Sequence, residues 1–100
     1  MSIYTERGSI EPLSRGETVQ VKGIGNSMTP LLQSGEIVTV DPIRPETELR
    51  KGDVVIAKVH GRVYMHLIGA VRTSTFQIKN NHGHVNGWVS RDQIYGKARL

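Results

Sequence analysis

The chain contains no cysteine, which excludes disulfides, thiolate metal centres and a cysteine nucleophile, and fits a reducing compartment. Aromatic residues are scarce: one Trp, three Tyr and one Phe among 100 residues, so aliphatic side chains must fill the core. Long apolar runs are missing as well. The opening MSIYTERGSIEPLSR carries Glu6, Arg7, Glu11 and Arg15, so it reads as neither a secretory signal nor a membrane span, and no later stretch is long and apolar enough. The expected location is cytoplasmic or virion-associated, with no membrane partner. Charge of one sign is not massed anywhere: 13 Lys and Arg stand against 9 Asp and Glu, a net +4 spread from Arg7 to Arg99. Trp88 and Tyr95 are not interleaved with the basic residues as a stacking platform would require, which argues against nucleic acid as a partner.

What is present is a series of short strand patterns separated by turns. TVQVK, residues 18–22, alternates with Val19 and Val21 on one face, and EIVTVD, residues 36–41, is bounded by Ser34-Gly35 and Asp41-Pro42. Residues 42–52, with two prolines and mixed charges, read as an exposed excursion. DVVIAKV and RVYMHLIGAV are separated only by His60-Gly61, the spacing of a tight hairpin. Thr75 to Lys79 is a fifth strand, Asn80 to Gly87 a loop, and Ile94 to Arg99 a last strand preceded by a single turn at Ser90 to Gln93. No repeat or low-complexity tract interrupts the pattern. The expectation is one mainly β domain over residues 18–100, a coiled antiparallel sheet or half-barrel, with residues 1–17 as an N-terminal arm.

One corner stands apart from this regular pattern. GIGNSMTPLL, residues 23–32, sets Ser27 behind two glycines and ahead of Met28 and Pro30. As structure alone, Gly23 and Gly25 permit positive φ, Ser27 caps a helical turn and Met28 plugs the core. As chemistry, a serine hydroxyl needs a base within hydrogen-bond reach and donors aimed at a developing oxyanion. Four histidines and several lysines are candidate bases, and His66 is the unusual one because it interrupts the apolar strand VYMHLIGAV. Period two puts it on one face with Tyr64 and Ile68, and an imidazole there titrates near neutrality. As structure alone, it is a strand histidine satisfied by a carbonyl.

GNSMTPLLQSGEIVTVDP, KGDVVIAK, VYMHLIGAV, FQIKNN and IYGKA follow one another as do the successive boxes of the LexA-repressor and signal-peptidase group of serine proteases, which the chain resembles from about Val19 to Lys97. The resemblance implies a coiled, mostly antiparallel β fold and peptide-bond hydrolysis through an acyl-enzyme. It makes Ser27 the nucleophile, with its own backbone amide in the oxyanion hole, and His66 the general base, in the position that other members fill with lysine. Asn81 becomes the orienting third residue, in a box where the family has aspartate, with Asn86 at the next acidic place. Leu67 follows His66 where arginine is usual. No cofactor is implied, and the substrate would be a polypeptide bound as an extended strand, with Met28 and Asn26 lining its pockets. With no anchor and no DNA-binding domain read in the chain, membrane processing and a repressor of the usual layout are not expected. Relatives cut their own arms at Ala-Gly or Cys-Gly, bonds that do not occur here.

Two other readings use the same residues. A non-catalytic assembly or binding module on this scaffold, in a phage or mobile-element setting, is favoured by Asn81 and Leu67 and opposed by the pairing of Ser27 with His66. A metal site could draw on His82 and His84 with His66 or His60, but a two-histidine loop without clustered carboxylates reads as solvated, and no metal is expected.

Overall fold

The computed structural model describes residues 2–100. Eight strands run β1 (Ile3–Tyr4), β2 (Val19–Lys22), β3 (Ile37–Pro42), β4 (Val54–Val59), β5 (Arg62–Val71), β6 (Thr75–Lys79), β7 (Val85–Ser90) and β8 (Ile94–Ala98). They form a single open sheet in the order β1-β2-β3-β8-β4-β5-β6-β7. Every pairing is antiparallel except β1 with β2, so the sheet is mixed at one edge. The expected mainly β, coiled half-barrel class is the one observed. No helix among the described residues is long and apolar enough to cross a membrane.

Alternation along the strands sorts the side chains into two cores. Val54 and Ile56 join Val21, Val38, Val40, Met28, Leu32, Met65 and Leu67 on one face. Val55, Ala57 and Val59 join Ile68, Phe76, Ile78, Val89 and Ile94 on the other. Because β4 is covered on both faces, Val54 to Ala57 is a continuous apolar run rather than an alternating one. The β4–β5 hairpin turns on His60 and Gly61, with φ of 49° and 81°, the pair of positive values that a two-residue turn of matching twist requires.

The N-terminal segment, expected as an arm, packs back on the sheet. Met1 lies outside the described residues. After β1 come a 3-10 turn at Arg7–Ser9 and a short α1 (Ile10–Ser14), with Ser9 fully buried and Leu13 in the first core. The loop expected over residues 80–87 is shorter than that, because β7 begins at Val85. Residues 42–52 are largely exposed, as expected of an excursion, but Ile43 and Leu49 tuck against the second core.

Candidate functional site

The serine corner leaves the β2–β3 ladder immediately after Gly23, whose N–H and C=O still pair with Glu36 and Gly35. Gly25 then takes φ +98°, a conformation that a side chain would strain, and turns the chain so that Ser27 points back toward the sheet. The turn is held by Thr29 N–H to Asn26 O at 3.2 Å and Leu32 N–H to Met28 O at 3.0 Å. Among the described residues these turn bonds use the amides of Thr29 and Leu32 and leave that of Ser27 out.

The structure brings Ser27 and His66 together, with Ser27 Oγ 3.1 Å from His66 Nε2. His66 is only 6% exposed, and the Tyr64 ring stacks on it with centroids 4.8 Å apart. Its other nitrogen, Nδ1, lies 2.7 Å from Asn86 Oδ1. An amide oxygen only accepts, so Nδ1 carries the proton and the lone pair of Nε2 faces the hydroxyl. Burial holds the imidazole below its ordinary 6.5, the Asn86 hydrogen bond acts in the opposite direction and the nearby His84 lowers it further. At neutral pH the ring is therefore uncharged and able to accept the serine proton.

Asn81, expected to orient the imidazole, does not touch it. Its backbone N–H donates to Ser27 O at 2.9 Å and its amide to Thr29 O at 3.0 Å, so it braces the serine turn from behind. Asn86 holds His66 instead, and the reason is a β-bulge. Ile78 pairs with Gly87 and Lys79 with Val85, leaving Asn86 as the extra residue of β7 and swinging its side chain toward β5. His82, which the sequence offers as a candidate base or metal ligand, reaches Asn26 O at 3.0 Å and Thr29 Oγ1 at 3.1 Å and ties the β6–β7 loop to the serine corner. Among the described residues no three His, Cys, Asp or Glu side chains are grouped to hold an ion.

Beside Ser27 lies a cleft lined by Gly23, Ile24, Met28, Met65 and Glu6. Met28 reaches it from the core, at 5% exposure, whereas Asn26 is exposed and does not line it. One wall is a strand edge: β6 pairs with β5 only from Leu67 onward, so Arg62 to His66 has no strand on its outer side. Sequence reasoning missed Glu6, whose carboxylate accepts the Met65 N–H at 3.0 Å from 59 positions away.

A serine-bearing corner, an imidazole on β5 brought to 3.1 Å from its hydroxyl and an open strand edge fit a peptidase-like scaffold. The family model for Peptidase S24-like proteins matches residues 6–95, and the chain belongs to that family. No curated protein matches it.

Proposed function

We propose that the chain is a serine endopeptidase acting through Ser27 and His66. Ser27 Oγ attacks the peptide carbonyl as His66 Nε2 takes its proton, and the tetrahedral oxyanion is met by the Ser27 N–H. His66 then hands the proton to the departing amine, leaving an ester on Ser27. Water, deprotonated by the same nitrogen, hydrolyses that ester and restores the hydroxyl. The polypeptide would lie extended along the outer edge of β5, where main-chain donors stand unpaired by a strand, with side chains entering the Met28–Met65 cleft. The observation that carries this reading is the 3.1 Å approach of Ser27 Oγ to the unprotonated nitrogen of a buried, neutral imidazole.

A second reading, a non-catalytic binding module on the same scaffold, draws on Asn86. A neutral amide sets the tautomer but does not stabilise imidazolium as a carboxylate does. A fluorophosphonate probe separates the two. Catalysis predicts labelling of the wild type that drops roughly 10³-fold in Ser27→Ala and His66→Ala, both still folded by circular dichroism. Absence of labelling across about pH 6 to 9 on folded protein would overturn the catalytic reading and favour the binding module.

A further inference from the structure

We infer that the N-terminal turn Thr5–Ser9 is a latch on the peptide slot, in which the Glu6 carboxylate stands in for the main-chain carbonyl of an incoming strand. The inference rests on the reading of the cleft as a peptide slot. Glu6 Oε2 takes the Met65 N–H at 3.0 Å, and the Ile24 amide faces the same carboxylate from the opposite wall. Because the Met65 N–H meets Glu6 rather than β4, and β6 pairs only from Leu67 onward, this N–H lies on the outer edge of β5, the edge left open by β6. An extended peptide joining that edge would need the same donor for its own carbonyl.

The latch is clasped at a second point, on the β4–β5 turn. Arg7 Nη2 donates to Gly61 O at 3.1 Å, where the hairpin enters β5. Around these two contacts the segment folds on itself rather than adding a strand: Gly8 N–H bonds Thr5 Oγ1 at 3.0 Å, and Ser9 Oγ bonds Glu6 O at 2.6 Å. It thus meets β5 through side chains alone, with no main-chain ladder between the turn and that edge. β1, paired with β2, anchors the chain on one side and Ser9 at 0% exposure with Leu13 at 3% on the other, so opening is confined to the Thr5–Gly8 turn and its side chains. Burial raises the Glu6 carboxyl above its ordinary 4.5, outweighing the amide bonds from Met65 and Ile24. At neutral pH the ionised group is therefore held at a hydration cost that release recovers. Ile24, 76% exposed at the rim, is an apolar surface for the strand that replaces it.

The test measures binding in a Ser27→Ala background, using fluorescein-labelled β-casein as an extended polypeptide and fluorescence anisotropy as the readout. Adding Glu6→Ala is expected to tighten binding about tenfold, the equivalent of one competing charge-assisted hydrogen bond, with Glu6→Gln between the two because its amide oxygen still accepts. Equal or weaker binding by folded Glu6→Ala protein, or no binding by either, overturns the latch and leaves Glu6 as a permanent staple. Should Glu6→Ala fail to fold, Arg7→Ala decides: a gain of about two- to threefold supports the latch, and no gain overturns it. Fluorophosphonate labelling of the Ser27-bearing protein reads the catalytic proposal separately. Lost labelling with the binding gain retained removes the enzyme and keeps the latch. Intact labelling with no gain removes only the latch.

Discussion

Replacing Asn86 by Asp tests the electrostatics of the site most directly, because it changes charge at nearly constant shape. Asn86 Oδ1 sits 2.7 Å from His66 Nδ1, so a carboxylate there would place its charge about 4 Å from the centre of an imidazolium, worth roughly 4 kcal/mol at the effective dielectric of a protein surface. About half is offset by confining a carboxylate at a half-buried position, leaving ~2 kcal/mol. That is the stabilisation expected for the transition state in which His66 has taken the Ser27 proton, equivalent to a rate gain of about 30-fold. The same interaction raises the His66 pKa, so the acid limb of the pH profile moves up with it.

Two measurements must therefore agree. The rate of fluorophosphonate labelling should rise in Asn86→Asp at pH values where the imidazole is neutral, about pH 8.5 to 9, and the gain should shrink toward about pH 6. NMR titration of His66 should show its midpoint displaced upward. Asn86→Leu, with Nδ1 left without an acceptor, should lose rate instead. If the Asp variant titrates His66 where the wild type does and labels no faster, the 2.7 Å bond is not what governs this imidazole and the assignment of Asn86 is refuted.

The remaining predictions concern support and pH. Asn81→Ala removes the amide bond to Thr29 O and should cost about 1 kcal/mol in chemical denaturation and slow Ser27 labelling, yet leave the His66 midpoint unmoved, since Asn81 braces the turn and not the ring. The folded-state pKa of His66 lies below its unfolded value near 6.5, so its contribution to stability is complete above that value and is lost as pH falls toward the depressed one. Thermal unfolding midpoints should accordingly fall on acidification below about pH 6.5, and His66→Asn should flatten that limb; an unchanged slope in the variant would contradict the buried neutral imidazole.

The strands that the sequence made legible are those whose physics is local. Val19–Lys22, Ile37–Pro42, Val54–Val59, Arg62–Val71 and Thr75–Lys79 carry β-branched residues between strong turn formers, and each appears within a residue or so of its expected limits. The N-terminal helix was not legible, because five residues with Pro12 among them carry no measurable helical period; the proline is tolerated since the first turn spends no N–H groups. Val85-Asn86-Gly87 reads as loop for a related reason. Its polar and glycine content serves a bulge, with Gly87 at φ +153°, and a bulge breaks the alternation that announces a strand.

The same break explains why the site was only half visible. Ser27 and His66 were singled out because each contradicts its surroundings: a hydroxyl in a glycine-framed corner, an imidazole in an apolar strand. Asn81 and Asn86 contradict nothing in loop-like sequence, and choosing between them requires knowing which strand carries the extra residue. With a regular ladder from Ile78 to Lys79, residue 86 would pair with Lys79 and point along the normal alternation; the inserted position turns it toward His66. Asn81, still inside the loop, is instead drawn to the serine turn by its own backbone bond to Ser27. A one-residue register shift, invisible to composition and periodicity, therefore decides which amide touches the base, and that choice sets whether the imidazole carries its proton on the nitrogen facing away from the serine.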